Sequence, residues 1–324
     1  MKTTEVEPGV EIGTRPDLEV RLAARRAIEA GHHKGRRAHG HGDFLLAHDR
    51  VTGFVLRAML QTTGLYQRGV ANALRVEVRH LRLEFTGLPT SLTGFRILHL
   101  ADLHIDGMDG LAEILVDHLT GLSVDLCVLT GDYRFEVYGP CHRVYPRMRQ
   151  VLSAIQAPYG VVGILGNHDC ADIAEELEKA GVRMLINESF AVGPDDHSLW
   201  IVGVDDAHYY GCDDLAQALE LVPADAFRLL LAHTPEMFDE AAKAGIDLYL
   251  TGHTHGGQIC LPWIGPLVMN AACPREYTRG QWRHGDMQGY TSTGAGSSML
   301  PVRFGCPPEI TVIELAPSQA SNVR

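Results

Sequence analysis

The chain of 324 residues is 45% hydrophobic with a formal net charge of -12, which is typical of a globular protein and excludes disordered and collagen-like classes. Its seven cysteines are scattered and odd in number, which argues against a disulfide framework or a thiolate zinc site and favours a reducing cytosol. The first residues lack the basic and apolar regions of a signal peptide, and no apolar run approaches the ~20 residues of a membrane span.

Charge is distributed unevenly along the chain. Residues 1–82 hold 14 Lys and Arg against 9 Asp and Glu (+5), whereas residues 83–324 hold 14 against 31 (-17). A catalytic body of that sign repels anionic substrates at long range, so it would need bound cations to receive one. A long nucleic-acid track would need interleaved basic and aromatic residues, which are absent, and we expect no stable nucleic-acid partner.

Residues 1–73 are predicted to form a basic N-terminal arm that precedes a catalytic domain at residues 74–324. A short helix is expected near Leu18 to Ala30, and the Gly-, His- and Arg-rich residues 31–42 are expected to form a loop. An amphipathic helix is predicted from Phe44 to about Thr62, with Phe54 and Met59 on its apolar side. Such a helix packs on its own domain or lies on a membrane surface, and the sequence leaves both open.

The alternation of apolar and charged residues from Leu74 to Phe85 predicts a strand with a bulge near His80. From residue 94 onward, short apolar strands alternate with helical segments. The strands end in polar residues at Asp102 and His104, at Asp132, at Asn167 to Asp169, at His233, and at His253 and His255. This alternation predicts an α/β fold whose site gathers at the carboxyl ends of the strands.

The stretch Gly252-His253-Thr254-His255-Gly256-Gly257-Gln258 directly follows an apolar run. Two imidazoles two residues apart can serve two neighbouring metals, and the glycines let the backbone turn beside a ligand. A His-x-His pair alone is equally consistent with a surface or core pair. Metal-binding residue types at four other strand ends favour a metal site. Imidazole, carboxylate and amide ligands together suit Mn²⁺, Fe or Zn²⁺ better than Ca²⁺.

Five motifs, Asp102-x-His104, Gly131-Asp132, Gly166-Asn167-His168-Asp169, His233 and Gly252-His253-x-His255, together resemble those of the calcineurin-like metallophosphoesterases. The resemblance covers about residues 94–315 and implies a four-layer αββα sandwich with a dinuclear metal centre. It implies that one metal is held by Asp102, His104 and His255, and the other by Asn167, His233 and His253, with Asp132 bridging both. Two ions sharing a carboxylate make a bridging water acidic enough to hydrolyse a phosphate ester or anhydride near neutral pH.

By the same resemblance, His168 faces the leaving-group oxygen as a catalytic residue, and Asp169 beside it is a possible orienting residue. The alternative is a histidine that only fixes Asn167. Residues that follow the bridging aspartate, and others near a later strand end, are candidate substrate contacts. They are Tyr133, Arg134, Asp205 and His208. For Arg134 an internal ion pair is an equal alternative to a phosphate contact.

The Gly256-Gly257-Gln258 extension and the ending Gly305 to Ile310 are similar to a bacterial branch of often membrane-anchored phosphodiesterases. Some of these cleave the pyrophosphate of UDP-2,3-diacylglucosamine. The similarity implies a nucleotide-lipid substrate. The chain departs from that branch in having a basic arm and an amphipathic helix where an anchor helix is expected. The +5 and -17 charges of the two parts motivate the hypothesis of a cytoplasmic enzyme that lies peripherally on the anionic inner membrane through its basic arm. The alternatives are a phosphodiesterase for soluble diesters, including cyclic nucleotides, and a metal-binding scaffold that has lost catalysis.

Overall fold

The computed structural model describes residues 15–33, 53–193, 199–266 and 269–318. The predicted loop at residues 31–42 is wrong at its start, because residues 31–33 are the last residues of a helix. Residues 34–42 of that loop and residues 44–52 of the predicted amphipathic helix lie outside the described residues. The described residues form two six-stranded sheets with flanking helices.

The first sheet is formed by strands from both ends of the domain. In spatial order its strands are β1 (Glu77–Phe85), β14 (Glu309–Pro317), β2 (Arg96–Leu100), β3 (Leu126–Leu129), β4 (Val161–Gly163) and β5 (Val182–Met184). All neighbours pair in parallel except β14 with β2.

The predicted bulge near His80 is wrong. Strand β1 pairs with β14 residue for residue from Glu77 to Phe85, without an extra residue on either side. Val78 packs on the helix side of the sheet, whereas Leu81 packs between the sheets with Leu83 and Phe85. The phase slip in the sequence therefore reflects a change in the packed face of the strand, not a change in the ladder.

The second sheet is parallel at its centre and antiparallel at both edges. Its order is β12 (Gly280–His284), β13 (Met287–Thr291), β9 (Leu248–Thr251), β8 (Phe227–Leu231), β7 (Leu199–Gly203) and β6 (Glu188–Val192). A short hairpin of β10 (Cys260–Leu261) and β11 (Gly265–Pro266) follows the two glycines after His253-Thr254-His255.

Most predicted helices are present, with shifted ends. The helices that precede the catalytic domain are α1 (Leu18–Arg21), α2 (Ala23–His33), the helical residues 53–62 (α3) and α4 (Tyr66–Ala73). The remaining helices are α5 (Leu111–Leu119), α6 (Val144–Ser153), α7 (Ala171–Lys179), α8 (Leu215–Ala218) and α9 (Phe238–Lys243). Helix α8 is a single turn, and a 3₁₀ turn at Pro235–Met237 directly precedes α9.

Three apolar layers separate the sheets and helices. Since side chains alternate along a strand, Leu98 faces the helices α5 to α7 while Ile97 faces the second sheet. Leu229 and Leu231 of β8 meet Ile97 between the sheets, and Leu230 packs outward towards α8 and α9. The predicted four-layer αββα sandwich is confirmed.

The helices α1 and α2 pack against the catalytic body. Leu22 is fully buried in the same apolar cluster as the helices of the first sheet. Arg21 forms ion pairs with Glu188 at 2.5 Å and Glu178 at 3.1 Å, and Arg26 pairs with Asp172 at 3.0 Å. These basic residues are therefore paired with the acidic body. The domain boundary at residue 73 stays a prediction. Among the residues that the structure describes, no helix is long and apolar enough to cross a membrane.

Candidate metal centre

Seven polar side chains converge at the carboxyl ends of strands from both sheets, and each is at most 9% exposed. Asp102 and His104 follow β2, Asp132 follows β3, Asn167 follows β4, His233 follows β8, and His253 and His255 follow β9. The structure thus brings together every residue that the sequence predicts as a metal ligand.

One group of donors consists of Asp102, His104 and His255, whose ligand atoms lie within 4.8 Å of one another. His255 Nε2 is 3.1 Å from His104 Nε2 and 3.7 Å from Asp102 Oδ1. The backbone of Gly252 passes close beside this group, and a Cβ there would lie 2.2 Å from Asp102 Oδ2. Glycine before the His-x-His pair is therefore required by the approach of the aspartate.

A second group contains Asp132, His233 and His253, again with ligand atoms within 4.8 Å of one another. Asn167 joins it, since its Oδ1 is 2.9 Å from both His233 Nε2 and His253 Nδ1. Asp132 Oδ2 is 3.3 Å from His233 Nε2 and 3.7 Å from His104 Nε2. One carboxylate oxygen is therefore close to both groups.

Three of the imidazoles are held by backbone carbonyl oxygens on the side away from the centre. The pairs are His104 Nδ1 with Arg134 O at 2.6 Å, His233 Nδ1 with Thr130 O at 2.8 Å, and His253 Nε2 with Asn270 O at 2.6 Å. A carbonyl oxygen only accepts, so these ring nitrogens carry protons and the opposite nitrogens present lone pairs to the centre when the rings are neutral. Converging lone pairs repel one another, and a cation between them removes that repulsion. The donor set fits divalent metal ions.

Five of the predicted ligands have left-handed backbone conformations, with φ from 38° to 67°. They are Asp102, His104, Asp132, His253 and His255. A non-glycine residue pays about 1–3 kcal/mol for such a conformation, which persists only where surrounding structure holds it and is common at functional sites. Here the N–H of Asp102 donates to Gly131 O at 3.1 Å, and that of His104 donates to Asp132 O at 2.9 Å.

Burial and neighbouring charge set the protonation of the centre. Burial raises the pKa of Asp102 to about 7 and lowers the pKa of His104 to about 3, because both side chains lose contact with water. Burial also acts to lower the pKa of His233, but the Asp132 carboxylate outweighs it and raises that pKa to about 10. The region around Asp132 therefore attracts positive charge.

Comparisons with known proteins agree with this geometry. The family model described as calcineurin-like phosphoesterase matches residues 95–257. YkuE, an uncharacterized metallophosphoesterase of Bacillus subtilis, is 30% identical over 250 residues, which cover 74% of this chain and 85% of that protein. The chain belongs to the calcineurin-like phosphoesterase family. The phosphodiesterase YaeI of Escherichia coli is 31% identical over 247 residues, which cover 74% of this chain and 87% of the relative.

Membership of the calcineurin-like phosphoesterase family confirms two predictions made from the sequence. The superfamily is the one that the five motifs indicated, and the enzyme class is a metal-dependent phosphoester hydrolase. A further Bacillus subtilis relative, the uncharacterized metallophosphoesterase YkoQ, is 30% identical over 238 residues, which cover 69% of this chain and 84% of that protein.

His168 lies at the edge of this calcineurin-like centre. Its Nδ1 is 2.6 Å from Phe135 O, so Nδ1 donates its proton to that carbonyl. Its Nε2 is then directed to the centre, 3.9 Å from Asp132 Oδ2, and the side chain keeps 14% of its surface exposed. This placement is compatible with the predicted catalytic role, because a partly exposed nitrogen beside the metal ligands is accessible to a substrate.

Asp169 does not orient His168. Its carboxylate accepts the N–H groups of Asp132 at 2.7 Å, Tyr133 at 2.9 Å and Gly166 at 2.8 Å. Burial raises the pKa of Asp169, and the nearby Asp132 charge adds to that effect. Asp169 therefore connects the backbone after β3 to the backbone after β4, which places two predicted ligands relative to each other.

Three of the four predicted substrate contacts are buried and have partners inside the protein. Tyr133 is fully buried and its hydroxyl donates to Ile164 O at 2.8 Å. Arg134 is 4% exposed and donates to carbonyl oxygens of the loop that follows it and of His168. Asp205 is 2% exposed and accepts from the guanidinium of Arg25. A substrate contact at these positions stays a prediction that their packing does not favour.

His208 is the predicted contact that lies beside the centre. Its ring centroid is 4.3 Å from that of His253, and its Nδ1 is 3.1 Å from both carboxylate oxygens of Glu236. Burial acts to lower the pKa of His208, but Glu236 raises it overall. Glu236 was not predicted from the sequence. It directly follows Pro235 and lies three positions after His233.

A second residue missed from the sequence is Arg303. It is fully buried, and its guanidinium donates to Thr293 O at 2.7 Å and Gly294 O at 3.1 Å, while Nη2 lies 3.2 Å from His255 Nδ1. Arg303 therefore supports His255 from behind the centre. A single arginine between Val302 and Phe304 has no motif around it, so only the fold could reveal this role.

Proposed function

We propose that the protein is a phosphodiesterase that uses two divalent metal ions. The observation that carries the proposal is the position of Asp132 Oδ2, 3.7 Å from His104 Nε2 in one donor group and 3.3 Å from His233 Nε2 in the other. One ion would be held by Asp102, His104 and His255, the second by Asn167, His233 and His253, and Asp132 would be shared. Mn²⁺, Fe and Zn²⁺ suit this mixture of nitrogen and oxygen donors.

The bound ions would supply a water acidic enough to attack phosphorus and positive charge for the phosphoryl oxygens. The protein's own residues complete the reaction. His168 would donate a proton from Nε2 to the leaving-group oxygen as its bond to phosphorus breaks. The Asp169 carboxylate accepts the backbone N–H groups of Asp132 and Gly166 and so holds the two loops together. His208 would contact the substrate beside His253. The products are a phosphate monoester and the leaving alcohol or, from a pyrophosphate, two phosphate monoesters.

The proposal includes a location for the substrate, at an anionic membrane. Helix α3 exposes Phe54 (74%) and Met59 (55%), and the tip of the β10–β11 hairpin exposes Trp263 (104%) and Ile264 (64%). We call these four residues the apolar surface. Exposed apolar groups of this size are uncommon on a monomer unless they meet a partner or a membrane.

The helix and the hairpin share a common base. Leu60 of α3 belongs to a buried cluster against which Ile259 and Phe304 pack, and Ile259 immediately precedes the hairpin. The hairpin follows the ligand His255 by five residues. The apolar surface is thus connected by short segments to the predicted metal ligands, which would bring a lipid-linked phosphate close to the centre.

The charges around the apolar surface favour anionic lipid over other partners. Residues 53–76 and 256–275 contain no Asp or Glu, although the whole chain has 40, and they carry Arg57, Arg68, Arg75 and Arg275. Each cation near an anionic membrane contributes roughly 1 kcal/mol, and Trp is favoured at the lipid–water interface. The arginines of α1 and α2 contribute less, because they pair with the protein's own carboxylates.

The substrate class that this arrangement supports is a nucleotide-lipid such as UDP-2,3-diacylglucosamine. The test is phosphorus NMR of the Mn²⁺-loaded protein with that lipid in mixed micelles and, in parallel, with a soluble aryl phosphodiester. Release of UMP and a lipid monophosphate is the expected result. Cleavage of the soluble diester alone would favour the broader phosphodiesterase reading, which includes cyclic nucleotides, and cleavage of neither would leave a metal-binding scaffold.

The membrane contact is tested separately by sedimentation with phosphatidylcholine vesicles that contain or lack phosphatidylglycerol. We expect binding only to the anionic vesicles, and loss of that binding in the double variant Phe54→Ser/Trp263→Ser. Leu221→Ser is the matched control, since Leu221 is 55% exposed but lies outside the apolar surface. Equal binding by all three proteins, or binding by none, would remove the membrane from the proposal.

A further inference from the structure

Arg25 extends from the N-terminal arm into the interior beside the metal centre. It lies on α2 and is fully buried. Its Nε and Nη2 donate to Asp205 Oδ1 at 3.0 and 2.5 Å, and its guanidinium carbon lies 3.8 Å from the centroid of the Tyr210 ring. A buried guanidinium needs a counter-ion, and Asp205 supplies it.

The remaining donor of Arg25 contacts the segment that follows β4. Nη1 donates to Gly166 O at 3.2 Å and to Asp169 O at 2.6 Å. These two carbonyls bracket Asn167 and His168, a predicted metal ligand and the predicted proton donor. Arg25 therefore holds both ends of a four-residue segment whose two central side chains point to the reaction.

Helix α2 also binds the backbone two residues after this segment. Glu29, four residues after Arg25, accepts the N–H of Ala171 at 2.9 Å. Residues four apart lie on one face of a helix, so Arg25 and Glu29 face the segment together. The N–H of Gly166, at the start of the segment, donates to the Asp169 carboxylate. The carbonyl oxygens of Gly166 and Asp169 accept from Arg25. The segment is thus fixed from two opposite sides.

We propose that Arg25 is a positioning residue for phosphoester hydrolysis, which fixes Asn167 and His168 in their places from outside the catalytic domain. The proposal rests on the hydrolytic function proposed above. A planar guanidinium is needed, because only its fork of donors reaches a carboxylate and two carbonyls at once. The N-terminal arm is therefore part of the catalytic unit.

Arg21 provides a matched control on the neighbouring helix α1. It is nearly buried, with 5% of its side chain exposed, and it binds Glu188 at 2.5 Å, Glu178 at 3.1 Å and Met184 O at 3.0 Å. These partners anchor the arm to the body but do not include the segment 166–169. Arg21→Met should weaken the docking of the arm without displacing Asn167 or His168.

The experiment compares the full-length Mn²⁺-loaded protein with Arg25→Met, Arg25→Lys and Arg21→Met. Hydrolysis of a soluble aryl phosphodiester gives kcat and KM, and hydrogen exchange of the amides of residues 164–171 reports the segment directly. For Arg25→Met we expect kcat to fall about 30-fold with KM changed less than about 3-fold, the loss being in the transition state. Exchange in the segment should accelerate. Arg25→Lys should behave in the same way but less strongly.

Arg21→Met should lower the melting temperature while kcat stays within about 2-fold of wild type and exchange in the segment is unchanged. If Arg25→Met matches Arg21→Met in both readouts, Arg25 only docks the arm and the proposal fails. If Arg25→Met does not fold, the same comparison with Arg25→Lys decides. If the wild-type protein cleaves no diester, the proposed function fails, while the hydrogen exchange still tests Arg25.

Discussion

The two sheets contribute different chemistry to one centre. The first sheet supplies the acidic and amide oxygens of the predicted ligand set, at Asp102, Asp132 and Asn167, together with His104. The second sheet supplies imidazoles alone, at His233, His253 and His255. Each donor group draws on both sheets, so neither sheet holds a complete site. Metal binding should therefore depend on the apolar packing between the sheets. The negative charge of the site comes from the two carboxylates of the first sheet.

The largest effect should come from the charge of the first sheet. In Asp132→Asn the shape is kept but the negative charge shared by both donor groups is lost, and we expect kcat for an aryl phosphodiester to fall at least about 10³-fold. Steady-state kinetics with metal analysis of the purified protein checks this. The matched control is Asp117→Asn, an exposed aspartate on α5. Near-normal turnover in Asp132→Asn would exclude the bridging role.

His168 follows β4 of the first sheet but is not a predicted ligand. A variant at this position therefore distinguishes catalysis from metal binding. We expect His168→Ala to lower kcat about 10²-fold, as for the loss of a general acid, with the metal content unchanged. His118→Ala on α5, which is also half-buried, is the control. A parallel loss of metal would instead assign His168 to the support of the ligands.

Cysteines beside the two sheets should differ in reactivity. Hydrogen bonds from Cys170 and Tyr145 lower the pKa of Cys141 to about 6, whereas burial raises the pKa of Cys273 to about 11. The thiolate of Cys141 is therefore present above about pH 6, and that of Cys273 is nearly absent at pH 7. The weaker base is also the weaker nucleophile, which offsets part of the difference in thiolate fraction. We therefore expect alkylation by iodoacetamide at pH 7 to be about 30- to 100-fold faster at Cys141. Peptide mapping at pH 5 and 7 checks the rate and its rise; equal rates at both sites would contradict it.

The smallest effect concerns the coupling of the sheets. Each donor group spans both sheets. Metal at about 100 times its dissociation constant should therefore stabilise the fold by about 2.7 kcal/mol, or roughly 4 °C in melting temperature for a chain of this length. Thermal melts with Mn²⁺ and after dialysis against a chelator measure this difference. The shift should shrink in His253→Ala and persist in Leu221→Ser. A full shift in His253→Ala would mean that the metal does not engage the second sheet.

Much of this protein was readable from the order of its residues. Strands that alternate with helices and end in His, Asp or Asn predict an α/β fold with a site at the strand ends, because parallel strands present those ends along one edge. The seven candidate ligands could be named because five motifs at these strand ends resemble those of the calcineurin-like metallophosphoesterases. Each sits in a short local pattern, such as Gly252-His253-Thr254-His255, whose spacing is set by the backbone of a single turn.

The tertiary structure decided what depends on residues far apart in the chain. Arg25 meets Asp205 across 180 positions, and Arg303 approaches His255 across 48. No local pattern marks such pairs. The same holds for the candidate contact Arg134, whose donors are taken by carbonyls that only the folded loop brings near it. Charge counted along the chain indicated a basic arm but left its contacts open. A buried charge needs a partner, and packing placed Arg21, Arg25 and Arg26 against the acidic body.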